Sequence, residues 1–174
     1  RNYTTVLENE AFLLAAKNTV KFMLICIPLL LVFSLLCGVM IKSIRGRADI
    51  YKTAFLVPLA VPVASIVLIW KFLFHENGFF SMLAVNISGN SIDFMNTDLA
   101  VYVLIVSYLW KNTGYDMILW IAGLSNIPAG LYEAASIDGA GRIKQFFYIT
   151  LPNLKGILFI IFILSVINSF KVFR

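Results

Sequence analysis

The sequence predicts an all-α protein, a polytopic transmembrane helical bundle, from three observations. Of 174 residues, 60% are hydrophobic and the mean hydropathy is +0.89, whereas a soluble domain is apolar over roughly half its residues. Several uninterrupted apolar runs approach the ~20 residues that cross a bilayer. Only one long stretch, 125–155, is neither a span nor a short connector. The chain opens on the polar RNYTTVLENE and stops directly after an apolar run. The expectation is a piece of a longer membrane protein, with no cleavable signal peptide.

The elements follow in order. Residues 1–17 read as an amphipathic segment outside the membrane, with Val6, Leu7, Ala11, Leu14 and Ala15 on its apolar side. Span 18–41 contains Pro28 and Gly38, which membrane helices tolerate because neighbouring groups re-satisfy the backbone. A short loop carries Lys42, Arg45, Arg47 and Lys52 against one acid, Asp49. Span 53–74 must kink or loosen near Pro58 and Pro62. Trp70 and Lys71 suit an interfacial anchor near its far end. The stretch 75–98 carries Glu76, Asp93 and Asp98 and no lysine or arginine. The bias of basic residues toward the cytoplasm therefore places 42–52 inside and 75–98 outside. Span 99–124 re-enters and delivers 125–155 to the cytoplasm, with Arg142, Lys144 and Lys155 on it. Span 156–173 returns outward, and Lys171 and Arg174 on the outer side mildly oppose the rule. That makes about four spans.

Within 125–155 the pattern is helix, glycine turn, helix. Pro128 suits a first helical turn, which has N–H groups to spare, and Ser125 and Asn126 are placed to cap it. Leu131, Ala134 and Ala135 share one face, with Glu133 and Ser136 turned away. Asp138-Gly139 signals a turn. A second helix starts near Ala140, with Ile143, Phe146 and Phe147 on its inner face, and Pro152 marks its boundary.

Span 99–124 has a polar break, Trp110-Lys111-Asn112-Thr113-Gly114-Tyr115-Asp116. An ionisable group at mid-membrane costs about 2.5–3.5 kcal/mol on insertion scales and faces a bundle interior or a cavity. Gly114 loosens the helix there, and interrupted helices at this depth commonly build substrate sites. Asn112, Thr113 and Tyr115 suit a hydroxyl-rich ligand, by hydrogen bonding and by stacking on a sugar ring. The competing reading is a Lys111–Asp116 pair that locks two helices. Ser165, Asn168 and Ser169 form a polar stripe on span 156–173, which faces the same cavity or hydrogen-bonds a neighbouring helix.

Other chemistries are excluded. The net charge of +5 has no basic stripe for nucleic acid. Cys26 and Cys37 lie in one span as small apolar residues, with neither metal spacing nor an implied disulfide. His75 is the only histidine. No acid–base pair, metal cluster or nucleophile constellation points to an enzyme, and no phosphate-binding GxxxxGK[ST] loop is present.

One motif carries a family resemblance. Glu133-Ala134-Ala135, then Gly139, then Ile149-Thr150-Leu151-Pro152 resembles the EAA loop of ABC importer permeases without gap or insertion. The longer form from Tyr132 to Ala140 is similar to the carbohydrate-importer branch, which includes maltose and glycerol-phosphate permeases. Asn2-Tyr3, Phe12 and Asn18-Thr19 resemble that family's lead into a span. The resemblance implies a type I importer permease with a usual core of six spans, so one further span is expected on each side. It implies that 125–155 holds the coupling helix, docked in a groove of the ATPase through Glu133, Ala134, Ala135, Asp138 and Gly139. Small residues keep such a surface shallow, and Glu133 offers one charge-assisted contact.

The resemblance also maps a substrate path. Its positions are Tyr108, Lys111, Asn112 and Tyr115, joined by Ser165 and Ser169, with Asn168 between them in the stripe. Lysine and asparagine are not the maltose permease's residues at those points, which implies another solute. The implied partners are an ABC ATPase dimer, a second permease subunit, an extracytoplasmic solute-binding protein, a sugar-like substrate and membrane lipid. No cofactor is expected on this chain, with ATP and magnesium used by the ATPase subunit. The implied location is a bacterial or archaeal cytoplasmic membrane. Two rivals are an ion-gradient-driven secondary transporter using Lys111 and Asp116 as a relay, and a non-transporting scaffold. The first does not account for the spacing from 133 to 152, and in the second the loop only recruits a cytoplasmic partner.

Overall fold

Asn9 fixes the first boundary. Its side-chain oxygen accepts from the backbone N–H of Ala11 at 2.9 Å and Phe12 at 3.3 Å, satisfying donors that a helix start leaves free. From there α1 (Glu10–Ser43) runs for 34 residues, straight through Pro28. The stretch read as a separate amphipathic segment is thus, from Glu10 onward, the first turns of α1, with Ala11, Leu14 and Ala15 exposed rather than laid on the bundle. This computed structural model describes residues 7–44, 46, 48–89, 93–97 and 99–171. Asn2, Tyr3, Val6, Arg45, Arg47, Asp98 and Arg174, each with a role expected from the sequence, lie outside the described residues.

The chain continues as α2 (Ala48–Ala60), α3 (Val63–Phe74), α4 (Phe79–Ser88) and α5 (Ala100–Ser125). After these come α6 (Ala129–Ile137), α7 (Arg142–Gln145), a π-helical turn (Phe146–Thr150), α8 (Leu151–Asn153) and α9 (Lys155–Lys171). Among the described residues there is no strand. The stretch 53–74 is two helices parted at Pro62, whose ring fits the start of α3 and cannot continue α2. Among the described residues, Glu10–Ser43 and Val63–Ile87 are long and apolar enough to cross a membrane. Arg142–Asn153 with Lys155–Lys171 qualifies as a third only as a pair, bent by 64°. Helix α5 has 26 residues and the length to cross, but its polar band dilutes its apolar character.

Helices α1 and α5 pack side by side and run in the same direction. Near one end Phe22 meets Tyr108 edge-on at 5.4 Å. Further along, Trp120 Nε1 donates to Ser34 Oγ at 2.9 Å in a buried setting. At the far end Lys42 Nζ donates to the carbonyl of Leu124. The polar partners are 86 and 82 residues apart, so the register barely drifts. Helix α9 returns antiparallel: Leu154 and Ile157 reach Gly123, and the Ser165 carbonyl reaches Tyr108. One core cluster forms around Phe22, Cys26, Leu30, Ile105 and Tyr108, and a second around Trp120, Leu124, Leu154 and Ile161.

This parallel pairing brings the basic 42–52 loop and the 125–155 loop to the same end of the bundle. At the other end, Trp70 meets Trp110 at 6.0 Å and Phe74 stacks on Phe80 at 4.6 Å. There Asp93 accepts from the Asn96 side chain at 2.8 Å and from the N–H groups of Asn96 and Met95 at 3.0 Å. These bonds, the Asn96 side chain first, hold its carboxyl below the usual carboxylate range.

Gly114 does not loosen α5, which is continuous through it. It is where α2 crosses α5 in backbone contact: a Cβ there would lie 1.9 Å from the Phe55 carbonyl oxygen. Gly114→Ala is therefore expected to push the two helices apart and destabilise the bundle by about 1–3 kcal/mol. Gly130→Ala, with nothing within 4 Å of the new atom, should leave stability unchanged. Thermal unfolding in detergent compares the two.

Candidate functional site

The stretch 125–155 folds as a small helical unit at one end of the bundle. Pro128 sits one position before α6 as its N-cap residue and supplies no side-chain bond. Ser125 and Asn126 do not cap α6. Ser125 Oγ instead donates back to the Ile121 carbonyl at 2.8 Å, and the Asn126 N–H to the Gly123 carbonyl at 3.2 Å, because both still belong to the end of α5. The far end of α6 closes as expected at glycine. Gly139 has φ +75°, the left-handed region a side chain resists. The Ala140 N–H reaches the Ala135 carbonyl at 2.8 Å and the Gly139 N–H the Ser136 carbonyl at 3.1 Å, the paired bonds of a glycine C-terminal cap.

Side chains then fasten α6 to the turns after it. Tyr132 Oη and Thr150 Oγ1 are 2.9 Å apart, and Gln145 Nε2 donates to Ser136 Oγ and to the Ala140 carbonyl, both at 2.9 Å. The inner side of the unit is made by Tyr132, Ala135, Phe146, Ile149 and Thr150. Ile143 and Phe147, read as inward, are exposed, as is Leu131 on α6. The π turn over Phe146–Thr150 breaks the 3.6 period on which the reading of 143–147 rested. Pro152 lies within α8 rather than ending a helix; the break comes at Leu154, followed by the 64° bend.

The five predicted coupling residues are brought together. Glu133, Ala134, Asp138 and Gly139 are exposed and Ala135 is half-buried behind them. Ile137, 87% exposed, stands beside them. Among the described residues neither acid is in an ion pair; the one such pair is Lys52–Asp49 at 2.8 Å.

The predicted path residues separate into two sets. Lys111, Asn112 and Asn168 are half-buried and Tyr115 is 40% exposed. Tyr108, Ser165 and Ser169 are buried and join helices to each other or to themselves. Tyr108 Oη donates to the Ser165 carbonyl at 3.1 Å, and Ser169 Oγ to the Val166 carbonyl at 2.7 Å. Asn112 Nδ2 donates to the Tyr108 carbonyl at 2.8 Å, and Asn168 Oδ1 accepts from Lys171 at 3.4 Å. Lys111 and Asp116 do not pair. Five residues apart, they leave a helix in different directions. Asp116 points inward at 4% exposure with its carboxyl beside the Ser165 hydroxyl, and its Oδ2 has no hydrogen-bond partner.

Sequence reasoning placed Asp116 in the polar break but did not bring it beside Ser165, and it missed the Tyr132–Thr150 and Ser136–Gln145 contacts. Tyr132 and Thr150 stood inside the quoted motif, yet their 18-residue separation gave no sign that they meet.

Long apolar helices packed side by side, with a compact helical loop at one end, define a membrane-type helical bundle. Residues 20–173 match the family described as binding-protein-dependent transport system inner membrane component, and the chain belongs to that family. It is 32% identical to a probable ABC transporter permease of Bacillus subtilis, over 95% of this chain and 54% of that protein. It is 31% identical to the trehalose/maltose transport system permease MalF of Thermococcus litoralis, over 99% and 59%. The glycerol-3-phosphate permease UgpA of Yersinia enterocolitica is 28% identical over 97% and 58%. The fold matches a chain of a bacterial ABC transporter involved in alginate import, with TM-score 0.84 and 22% identity over 94% of this chain and 58% of that one. The chain thus spans little more than half the length of these relatives.

Two substitutions test the loop's rigidity. Gly139→Ala meets open space but must hold φ +75°, so it should cost about 1–2 kcal/mol of loop stability. Tyr132→Phe removes only the hydroxyl facing Thr150 and should cost about 1 kcal/mol. Amide hydrogen exchange across α6 reads both as faster opening.

Proposed function

We propose that this chain is the membrane-spanning permease component of an ATP-driven importer for a sugar or sugar derivative. One observation carries the reading. The rigid unit from α6 to α8 presents Glu133, Ala134, Asp138 and Gly139 on a shallow exposed face, in a chain whose family is the inner-membrane component of binding-protein-dependent transport. An ATPase dimer grips that face and uses ATP and magnesium. A second permease subunit completes the path, and an extracytoplasmic solute-binding protein delivers the solute. The setting is a bacterial or archaeal cytoplasmic membrane.

The mechanism is alternating access. Because the loop is stapled by Tyr132–Thr150 and Gln145–Ser136, it passes displacement on as a body instead of absorbing it. Its two roots are α5 and α9, the helices that carry the polar band. Lys111, Asn112, Tyr115 and Asn168 line the solute path, and Tyr108, Ser165 and Ser169 form its inner wall. The printed functions of relatives, for trehalose/maltose and glycerol 3-phosphate, favour a hydroxyl-bearing solute. The buried Asp116 alone favours an ion-gradient-driven carrier; uptake that follows ATP rather than the proton gradient separates the two.

Glu133→Ala removes one charge-assisted contact, worth about 1.5–3 kcal/mol. Solute-stimulated ATP hydrolysis and uptake in membranes should fall about tenfold, with the assembly intact. Unchanged coupling contradicts the reading. Asn112→Ala and Tyr115→Ala should weaken uptake without affecting basal ATP hydrolysis.

A further inference from the structure

We infer that Lys42 is a positioning residue that ties the last turn of α5, and so the root of the 125–155 loop, to α1. The inference rests on the reading of that loop as the element that receives force, and it names where the force enters the first helix.

The last carbonyls of a helix have no partner inside it. At the end of α5 two of them find partners: the Gly123 carbonyl accepts from the Asn126 N–H and the Leu124 carbonyl from Lys42 Nζ. A cation at a helix C-terminus is favoured by the helix dipole. Here the cation comes from another helix, as the basic residue of the last turn of α1, so the cap is also a tie between helices.

Leu124 is fixed on its other side as well. Its side chain is buried in the cluster with Trp120, Leu154 and Ile161. Gly123 beside it leaves no room for a Cβ, which would lie 2.7 Å from Ile157 Cγ1. Residues 123–124 are therefore where α1, α5 and α9 meet, immediately before the 125–155 loop. Lower down, Ser34–Trp120 and the Gly38 contact with Trp120 hold α1 and α5 in register. A displacement entering at Asn126 reaches α1 through Lys42; without that tie it frays the last turn of α5 instead.

The test uses the protein assembled with its ATPase in membranes. Lys42→Met keeps the apolar stem and removes the donor and the charge. Amide exchange across 123–126 is expected to rise about tenfold, as for a lost charge-assisted hydrogen bond, while exchange within α6 stays unchanged. Solute moved per ATP hydrolysed is expected to fall about fivefold or more, with basal hydrolysis kept, and Lys42→Arg should restore both. Unchanged exchange overturns the tie. Faster exchange with full solute movement per ATP makes Lys42 a helix cap only and overturns the positioning role. If the unaltered protein moves no solute on ATP, the loop reading falls and the positioning role with it, while the exchange result still decides the contact.

Discussion

Two apolar helices gain little by turning from lipid toward each other, because lipid tails are as apolar as leucine. The α1–α5 pair therefore depends on contacts that lipid cannot supply. The Trp120 indole N–H finds Ser34, the Lys42 ammonium finds a terminal carbonyl, and Gly38 lets Trp120 come within 3.2 Å of where a Cβ would stand. Gathered in the last third of α1, with Phe22 against Tyr108 further back, these contacts fix both direction and register. Everything else is hung on this pair: α2 crosses at Gly114, α9 returns past Gly123, and the loop grows from the tied end of α5.

The same constraint explains the division of labour in the polar residues. Some groups on the inner faces of α5 and α9 hold helices together, as in the Tyr108–Ser165 bond. Groups one step around the helix, such as Tyr115, remain partly open. A rigid loop attached to such a bundle moves its roots, and its roots carry that band. The mechanical reading thus comes from how the pieces are fastened as much as from what the loop resembles.

Much of this was legible in the sequence because it is local. Glycine at 139 announced a turn, and Pro58 and Pro62 a kink, which falls at Pro62 while α2 runs through Pro58; the shared end of the 42–52 and 125–155 loops came from counting charges and spans. What was not legible depends on long-range fastening. The serine stripe on α9 has the period of a helix face, but period does not say that Ser165 and Ser169 are buried. The inward face after Ala140 was misread because a π turn carries no composition signal. Lys42 read as a charge at a membrane edge, and only the packing of α1 on α5 brings it to Leu124.

The central claim is that the exposed face of α6 is on the cytoplasmic side and is covered by an ATPase. The most direct measurement places a cysteine at Ala134, in a background with Cys26 and Cys37 replaced, and applies a membrane-impermeant thiol reagent to each side of sealed membrane vesicles. The account predicts labelling from the cytoplasmic side only, blocked while the ATPase is bound and restored when it is stripped away. Labelling from the outer side, or labelling indifferent to the ATPase, would contradict it.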